Sequence, residues 1–282
     1  MHLYNIETGI ILQNNDSWHW INDDWDSVIN RENLYDHLIQ LSTTTKIISE
    51  EESKEYLTEF LLPPLVTQEV WAAGVTYLRS RDARMDESKD SGGADCYSKV
   101  YDAERPELFF KALPHRVVGH GQNVYIRKDS TWSVPEPELS LYINSLGTIQ
   151  GYTIGNDMSS RSIEGENPLY LPQAKMYERS AALGPCLYVT SDAIKPDTMI
   201  RMQIIRKNKI VFEDATAISR MKRSLAELVS YLYRECDFAT GCFLMTGTCI
   251  VPPNDFTLQE DDVVDIKIDG IGQLTNIVAL KK

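Results

Sequence analysis

The stretch VPEPELSLYINS, Val134–Ser145, decides the reading of the chain. Glu136 and Glu138 stand two positions apart, ahead of the alternating apolar residues Leu139, Leu141 and Ile143. Positions i and i+2 of a strand point to one face, so two carboxylates lie side by side there. Like charges at that spacing repel unless something holds them. A third acid, Asp157, lies nineteen positions beyond Glu138 in GYTIGNDMSSRS (151–162). A strand, a turn and a return strand span that distance. Three carboxylates meeting at one point need a cation, and a hard divalent ion such as Mg²⁺ or Mn²⁺ takes oxygen ligands. The alternative is a solvated strand edge carrying unrelated acids.

From about residue 66 onward the chain reads as β-rich. ELFFKA, NVYIRK, ELSLYI, GYTIGN, CLYVT, MIRMQIIR, KIVFE, VVDIKI and IVAL are short apolar or alternating runs bounded by Gly, Pro, Asn and Asp. One helix interrupts them, opened by a capping box of Ser224 and Glu227. Many strands with few helices predict a barrel or rolled sheet. Residues 1–65 differ. Two helical stripes, Leu34-Tyr35-Leu38-Leu41 and Tyr56-Leu57-Phe60-Leu61, precede Pro63-Pro64, which places a domain boundary near residue 65.

The 282 residues carry a net charge of −13. So acidic a surface argues against nucleic acid or an anionic membrane as partner. It leaves room for a small anionic substrate, because a local basic cluster overrides the mean field. The five cysteines show no zinc-like spacing and read as reduced thiols. No basic-then-apolar leader opens the chain, and no run approaches the ~20 apolar residues that span a bilayer. These features predict a soluble, cytoplasmic protein.

Further candidates sit beside apolar residues. Lys175 lies in QAKMYERSAALGPCL, and Glu107 and Lys111 lie in RPELFFKA. A lysine or glutamate in such surroundings serves acid–base chemistry. Equally, each forms a structural ion pair or a surface charge at a strand end. TYLRSRDARMDES (76–88) gathers Arg79, Arg81 and Arg84. These arginines either bind an anion or pair with Asp82, Asp86 and Glu87.

GVTY, PELFFKA, VPEPEL, GYTIGNDMSSRS, AKMYERSAALGP and LMTGT, in that order over roughly residues 70–282, resemble the fumarylacetoacetate hydrolase superfamily. The resemblance implies a β-rich α+β fold, with a β-roll catalytic domain at 66–282 and a small N-terminal α+β domain at 1–65. It implies one Mg²⁺, with Mn²⁺ or Ca²⁺ as substitutes, held by Glu136, Glu138 and Asp157. Lys175 matches the family lysine beside the metal, and Thr248 the threonine of its late Gly-Thr segment. The family also implies a homo-oligomer, a dimer or tetramer.

One departure bears on activity. Hydrolases of this family commonly carry G-x-N-Y-x-x-H, whose histidine helps activate water. Here the asparagine position is Thr76 and the histidine position is Ser80. The five histidines, His2, His19, His37, His115 and His120, all lie elsewhere. The pattern resembles instead the sugar-acid dehydratase branch, which implies removal of water from a 2-keto-3-deoxy sugar acid, 2-keto-3-deoxy-D-arabinonate, to give 2,5-dioxopentanoate. On this reading Lys175 and Glu107 are the acid–base pair, and Arg79, Ser80, Arg81 and Thr248 hold the substrate. Two other readings stand beside it. One is a metal-dependent hydrolase or decarboxylase of a keto acid, and the other a non-catalytic module that binds acids.

Overall fold

Pro137–Ile143 is buried along its whole length. The reason is that it separates two apolar cores. Leu139, Leu141 and Ile143 face one of them, together with Ile154 and Met202. Tyr142 faces the other, with Phe243, Leu3 and Leu12. Truncating one such residue, Leu141 for instance, costs about 2–5 kcal/mol.

The structure, a computed structural model, describes residues 1–87 and 94–282. The Glu87 side chain, one of the acids offered to the arginines above, lies outside the described residues. Among the described residues the strands form an eleven-stranded, a five-stranded and a two-stranded sheet. In the largest, Pro137–Ile143 lies between Ile149–Asp157 and Cys242–Met245, both antiparallel to it. Beyond Cys242–Met245 come Glu69–Gly74 and then Glu107–Ala112. The five-stranded sheet, which includes Met199–Arg206 and Val263–Ile268, packs its apolar face on the first core. This is a β-rich α+β architecture, and the strands expected from residue 107 onward all form.

Residues 1–65 contain the two expected helices, Leu34–Thr44 and Glu50–Glu59. They also contain four strands that the alternation did not reveal, His2–Ile6, Gly9–Asn14, Ser17–Ile21 and Lys46–Ile48. These strands extend the main sheet, because His2–Ile6 pairs with Ala181–Tyr188. The helix Leu225–Leu232 begins as expected, with the Ser224 hydroxyl accepting from the Glu227 N–H. The Glu227 carboxylate turns instead to Arg223, at 2.6 Å. No helix among the described residues is long and apolar enough to cross a membrane.

Candidate active site

The hairpin of Pro137–Ile143 and Ile149–Asp157 brings the acids together. Its register pairs Pro137 with Asn156 and Glu138 with Gly155. One step further the Asp157 N–H donates to the Glu136 carbonyl at 2.9 Å, so Glu136 and Asp157 lie opposite each other. Opposed residues share a face, and Glu138 shares it by the two-residue period. Carboxylate oxygens of the three lie within 4.8 Å of one another, and all three residues are buried. At that spacing each like pair repels by about 3 kcal/mol or more at an effective dielectric near ~20.

Compensation is uneven. Lys175 ends the short helix Leu171–Lys175 and is completely buried. Its Nζ donates to Glu136 Oε2 at 2.7 Å, Asp157 Oδ2 at 2.9 Å and Ser159 Oγ at 2.5 Å. Arg161 donates to Glu136 Oε1 at 2.6 Å. Lys111 binds Asp157 Oδ1 at 2.5 Å and the carbonyls of Met158 and Lys175. Burial pushes Lys111 down to about 8 despite Asp157. Burial would also raise Asp157, but Lys111 and Lys175 outweigh it and hold that carboxyl below its ordinary range. Among the described residues Glu138 accepts only the Gly247 N–H, at 2.6 Å. Burial, then Asp157 and Glu136, push Glu138 well above the usual carboxylate range. The three acids and their oxygen donors therefore fit a hard divalent ion, which would supply the charge that Glu138 lacks.

Glu107, Phe109 and Lys111 alternate along Glu107–Ala112 and face this centre. Phe109 presents its ring to the Lys175 ammonium, 5.9 Å from the centroid. Glu107 is paired in register with Gly74. A Cβ at Gly74 would stand 2.0 Å from Glu107 Oε2, so glycine makes room for the acid. Burial pushes Glu107 up against the pull of Arg84 and Lys175. Gly247 lies at φ +95, a conformation that favours glycine, and this turn aims its N–H at Glu138.

The resulting cleft is narrow, lined by the three acids, Lys175, Phe109, Gly74, Ser80, Arg84 and Thr248. The Thr248 hydroxyl donates to the Pro137 carbonyl at 3.0 Å, which ties the Gly-Thr turn to the carboxylate strand. Arg79 and Arg81 are not brought to the carboxylates. Arg79 reaches the Val251 carbonyl at 3.3 Å, and Arg81 pairs with Asp82 and lies over the Tyr101 ring. Arg84 is the arginine of that cluster that enters the cleft. Its signal was its position four residues after Ser80, which places both on one helix face. Lys111 was legible from its alternation with Glu107.

No histidine lines the cleft. Thr76 uses its hydroxyl on the Thr246 carbonyl at 2.7 Å. His120 accepts from the Thr275 N–H at 3.1 Å, and His115 lies in the turn Pro114–Arg116.

A probable 2-keto-3-deoxyxylonate dehydratase of Haloferax volcanii is 50% identical over 216 residues, covering 76% of this chain and 73% of its own. A 2-dehydro-3-deoxy-D-arabinonate dehydratase of Saccharolobus solfataricus is 45% identical over 222 residues, covering 78% and 74%. A solved 2-keto-3-deoxy-D-arabinonate dehydratase, complexed with magnesium and 2,5-dioxopentanoate, superposes with a TM-score of 0.83 at 32% identity. That likeness covers 100% of this chain and 99% of the other. The model of the fumarylacetoacetate hydrolase C-terminal domain matches residues 70–279, a span that holds every side chain named in the cleft. By its sequence over that span and by the fold that carries it, the chain belongs to the fumarylacetoacetate hydrolase family.

Proposed function

We propose that the protein is a Mg²⁺-dependent hydro-lyase that converts 2-keto-3-deoxy-D-arabinonate to 2,5-dioxopentanoate and water. The observation that carries this is the composition of the cleft. Three acids and a buried lysine line it, the raised Glu107 stands against the lining Gly74, and among the described residues that line it there is no histidine to activate water. The activities for which the two relatives are named agree with it. D-Arabinonate and D-xylonate differ only at carbons that become the keto and methylene groups, so their 2-keto-3-deoxy derivatives are one compound with a single centre, C4.

Glu136, Glu138 and Asp157 would hold the ion, which supplies Lewis-acid polarisation of the keto group when bound. Lys175 is assigned as the base that takes a C3 proton. Glu107 is assigned as the acid that protonates the departing C4 hydroxyl, since burial favours its protonated form. Elimination leaves a 2-keto-3-ene acid with a C5 hydroxyl. Loss of a proton from C5 and uptake of one from solvent at C3 gives the enol of the C5 aldehyde, which takes a further solvent proton at C4, its hydroxyl releasing one, to finish the product. One water leaves, and no oxidant is needed. Ser80 and Thr248 complete the substrate's surroundings.

We assign catalysis to residues 66–282 and read residues 1–65 as an appended α+β layer that contributes no side chain to the cleft. A homo-oligomer, dimer or tetramer, in the cytoplasm suits a catabolic enzyme with five free thiols. Light scattering on the purified protein tests the assembly. The function is tested by supplying the Mg²⁺-loaded protein with 2-keto-3-deoxy-D-arabinonate and following products by NMR. The proposal expects 2,5-dioxopentanoate, abolished by a chelator and restored by Mg²⁺. Pyruvate and glycolaldehyde would make the enzyme an aldolase and overturn it.

A further inference from the structure

Each of the three acids has one carboxylate oxygen tied to a donor of its own. Arg161 donates to Glu136 Oε1 at 2.6 Å. Lys111 forms an ion pair with Asp157 Oδ1 at 2.5 Å. The Gly247 N–H donates to Glu138 Oε2 at 2.6 Å. The opposite oxygens are Glu136 Oε2, Asp157 Oδ2 and Glu138 Oε1. The Lys175 ammonium bridges the first two, and all three acids line the cleft. Lys111 and Arg161 are buried and do not line it, so each meets its carboxylate from the protein side.

These donors cannot follow a carboxylate that turns. Lys111 Nζ also donates to the carbonyls of Met158, at 3.1 Å, and Lys175, at 2.6 Å. The backbone N–H of Arg161 is bonded to the Trp132 carbonyl at 2.8 Å, where its helix begins. The Gly247 N–H belongs to the main chain. A carboxylate that grips an ion with both oxygens must turn both toward it. Here that turn would pull an oxygen off a buried, charge-assisted contact and leave the donor unpaired. Each acid therefore offers a single oxygen.

That constraint separates the hard divalent ions. Mg²⁺ takes about six oxygens at short, near-octahedral positions and keeps waters among them, and Mn²⁺ accepts the same arrangement. Ca²⁺ takes roughly six to eight oxygens at longer distances and draws on carboxylates that bind through both.

We propose that Lys111 and Arg161 set the metal preference of the site: by holding Asp157 and Glu136 to one oxygen each, they favour Mg²⁺ and Mn²⁺ over Ca²⁺. This rests on the proposed function for the ligand set. Lys111 thereby determines specificity for the ion and acts through Asp157, without touching ion or substrate.

The test titrates Mg²⁺, Mn²⁺ and Ca²⁺, one at a time, into the chelator-treated full-length protein and reads each affinity by calorimetry. No substrate is present, so the result is separate from the identity of the reaction. The wild type is expected to bind Mg²⁺ and Mn²⁺ more tightly than Ca²⁺. A wild type that binds Ca²⁺ as tightly as Mg²⁺, or more so, overturns the proposal. A wild type that binds none of the three ions overturns the ligand set, and the functional reading with it. Lys111→Met frees Asp157 Oδ1 and removes a positive charge beside it, so every ion gains from the lost charge. Ca²⁺ gains further from the freed oxygen, and the ratio of Ca²⁺ to Mg²⁺ affinity is expected to rise at least about fivefold. A smaller rise overturns the role of Lys111 alone. Should Lys111→Met fail to fold, the wild type loaded with Mn²⁺ is studied in D₂O by pulsed electron paramagnetic resonance, which counts exchangeable waters on the ion. Three single oxygens leave three of about six positions to water. Fewer than three waters would mean further protein oxygens on the ion, and would refute the lock.

Discussion

Replacing Lys175 with Met separates the lysine's chemical role from its electrostatic one. The ammonium makes three short hydrogen bonds, two of them to the buried carboxylates Glu136 and Asp157. Removing one partner of a buried ion pair costs about 3–5 kcal/mol. Lys111 remains on Asp157 and Arg161 on Glu136, so the lower end applies, about 3 kcal/mol. For a chain of this length that lowers Tm by roughly 5 °C in chelator. A divalent ion replaces the missing positive charge, so the deficit shrinks when metal binds. A ligand at a hundred times its Kd contributes about 2.7 kcal/mol. Mg²⁺ should therefore raise the Tm of the variant more than that of the wild type. Turnover should fall about 10²–10⁴-fold with the base gone. The assays are paired melts with and without Mg²⁺, a Mg²⁺ isotherm, and product formation by NMR. Turnover within threefold of wild type refutes the catalytic assignment. A Mg²⁺-dependent stabilisation no larger than that of the wild type refutes the electrostatic account.

Three further outcomes follow from the same geometry. Gly74→Ala places a Cβ against Glu107, so kcat should drop about 10²-fold or more with Mg²⁺ affinity retained, as read by kinetics and calorimetry. Lys111→Met leaves Asp157 Oδ1 and two backbone carbonyls short of a donor, and denaturant titration should show a loss of about 3–5 kcal/mol. Glu138 is raised on folding, so it retains its proton to higher pH than a free carboxylate, and metal binding must expel that proton. Mg²⁺ affinity should fall as pH drops through the raised value. Calorimetry in buffers of different ionisation enthalpy should register proton release, and a pH-independent affinity would count against the assigned ligand set.

The acidic hairpin was legible because both of its determinants are local. A two-residue period puts Glu136 and Glu138 on one face, and the nineteen-residue spacing matches a strand, a turn and a return. What holds the acids together was less legible. Lys175, Lys111 and Arg161 arrive from three different elements, and no local pattern states which acid each will meet. The arginine cluster misled for a related reason. Leu78, Ala83 and Met85 form no clear apolar stripe, so the sequence does not say which side of the helix Leu78–Glu87 is buried. Burial falls on Ser80 and Arg84 rather than on Arg79 and Arg81. The first four strands escaped notice because their pairing partner, Ala181–Tyr188, lies far along the chain. Sheet membership of that kind is a tertiary property.

The claim on which the account depends is removal of a C3 proton before the C4 hydroxyl leaves. It is tested by running the Mg²⁺-loaded enzyme on 2-keto-3-deoxy-D-arabinonate in D₂O and reading the product by NMR at early times. Uncatalysed exchange of the product in the same buffer is subtracted. The account predicts deuterium at both C3 and C4 of 2,5-dioxopentanoate. Deuterium at C4 alone, with both original C3 hydrogens kept, would mean that water is lost across C4 and C5 directly, and would contradict it.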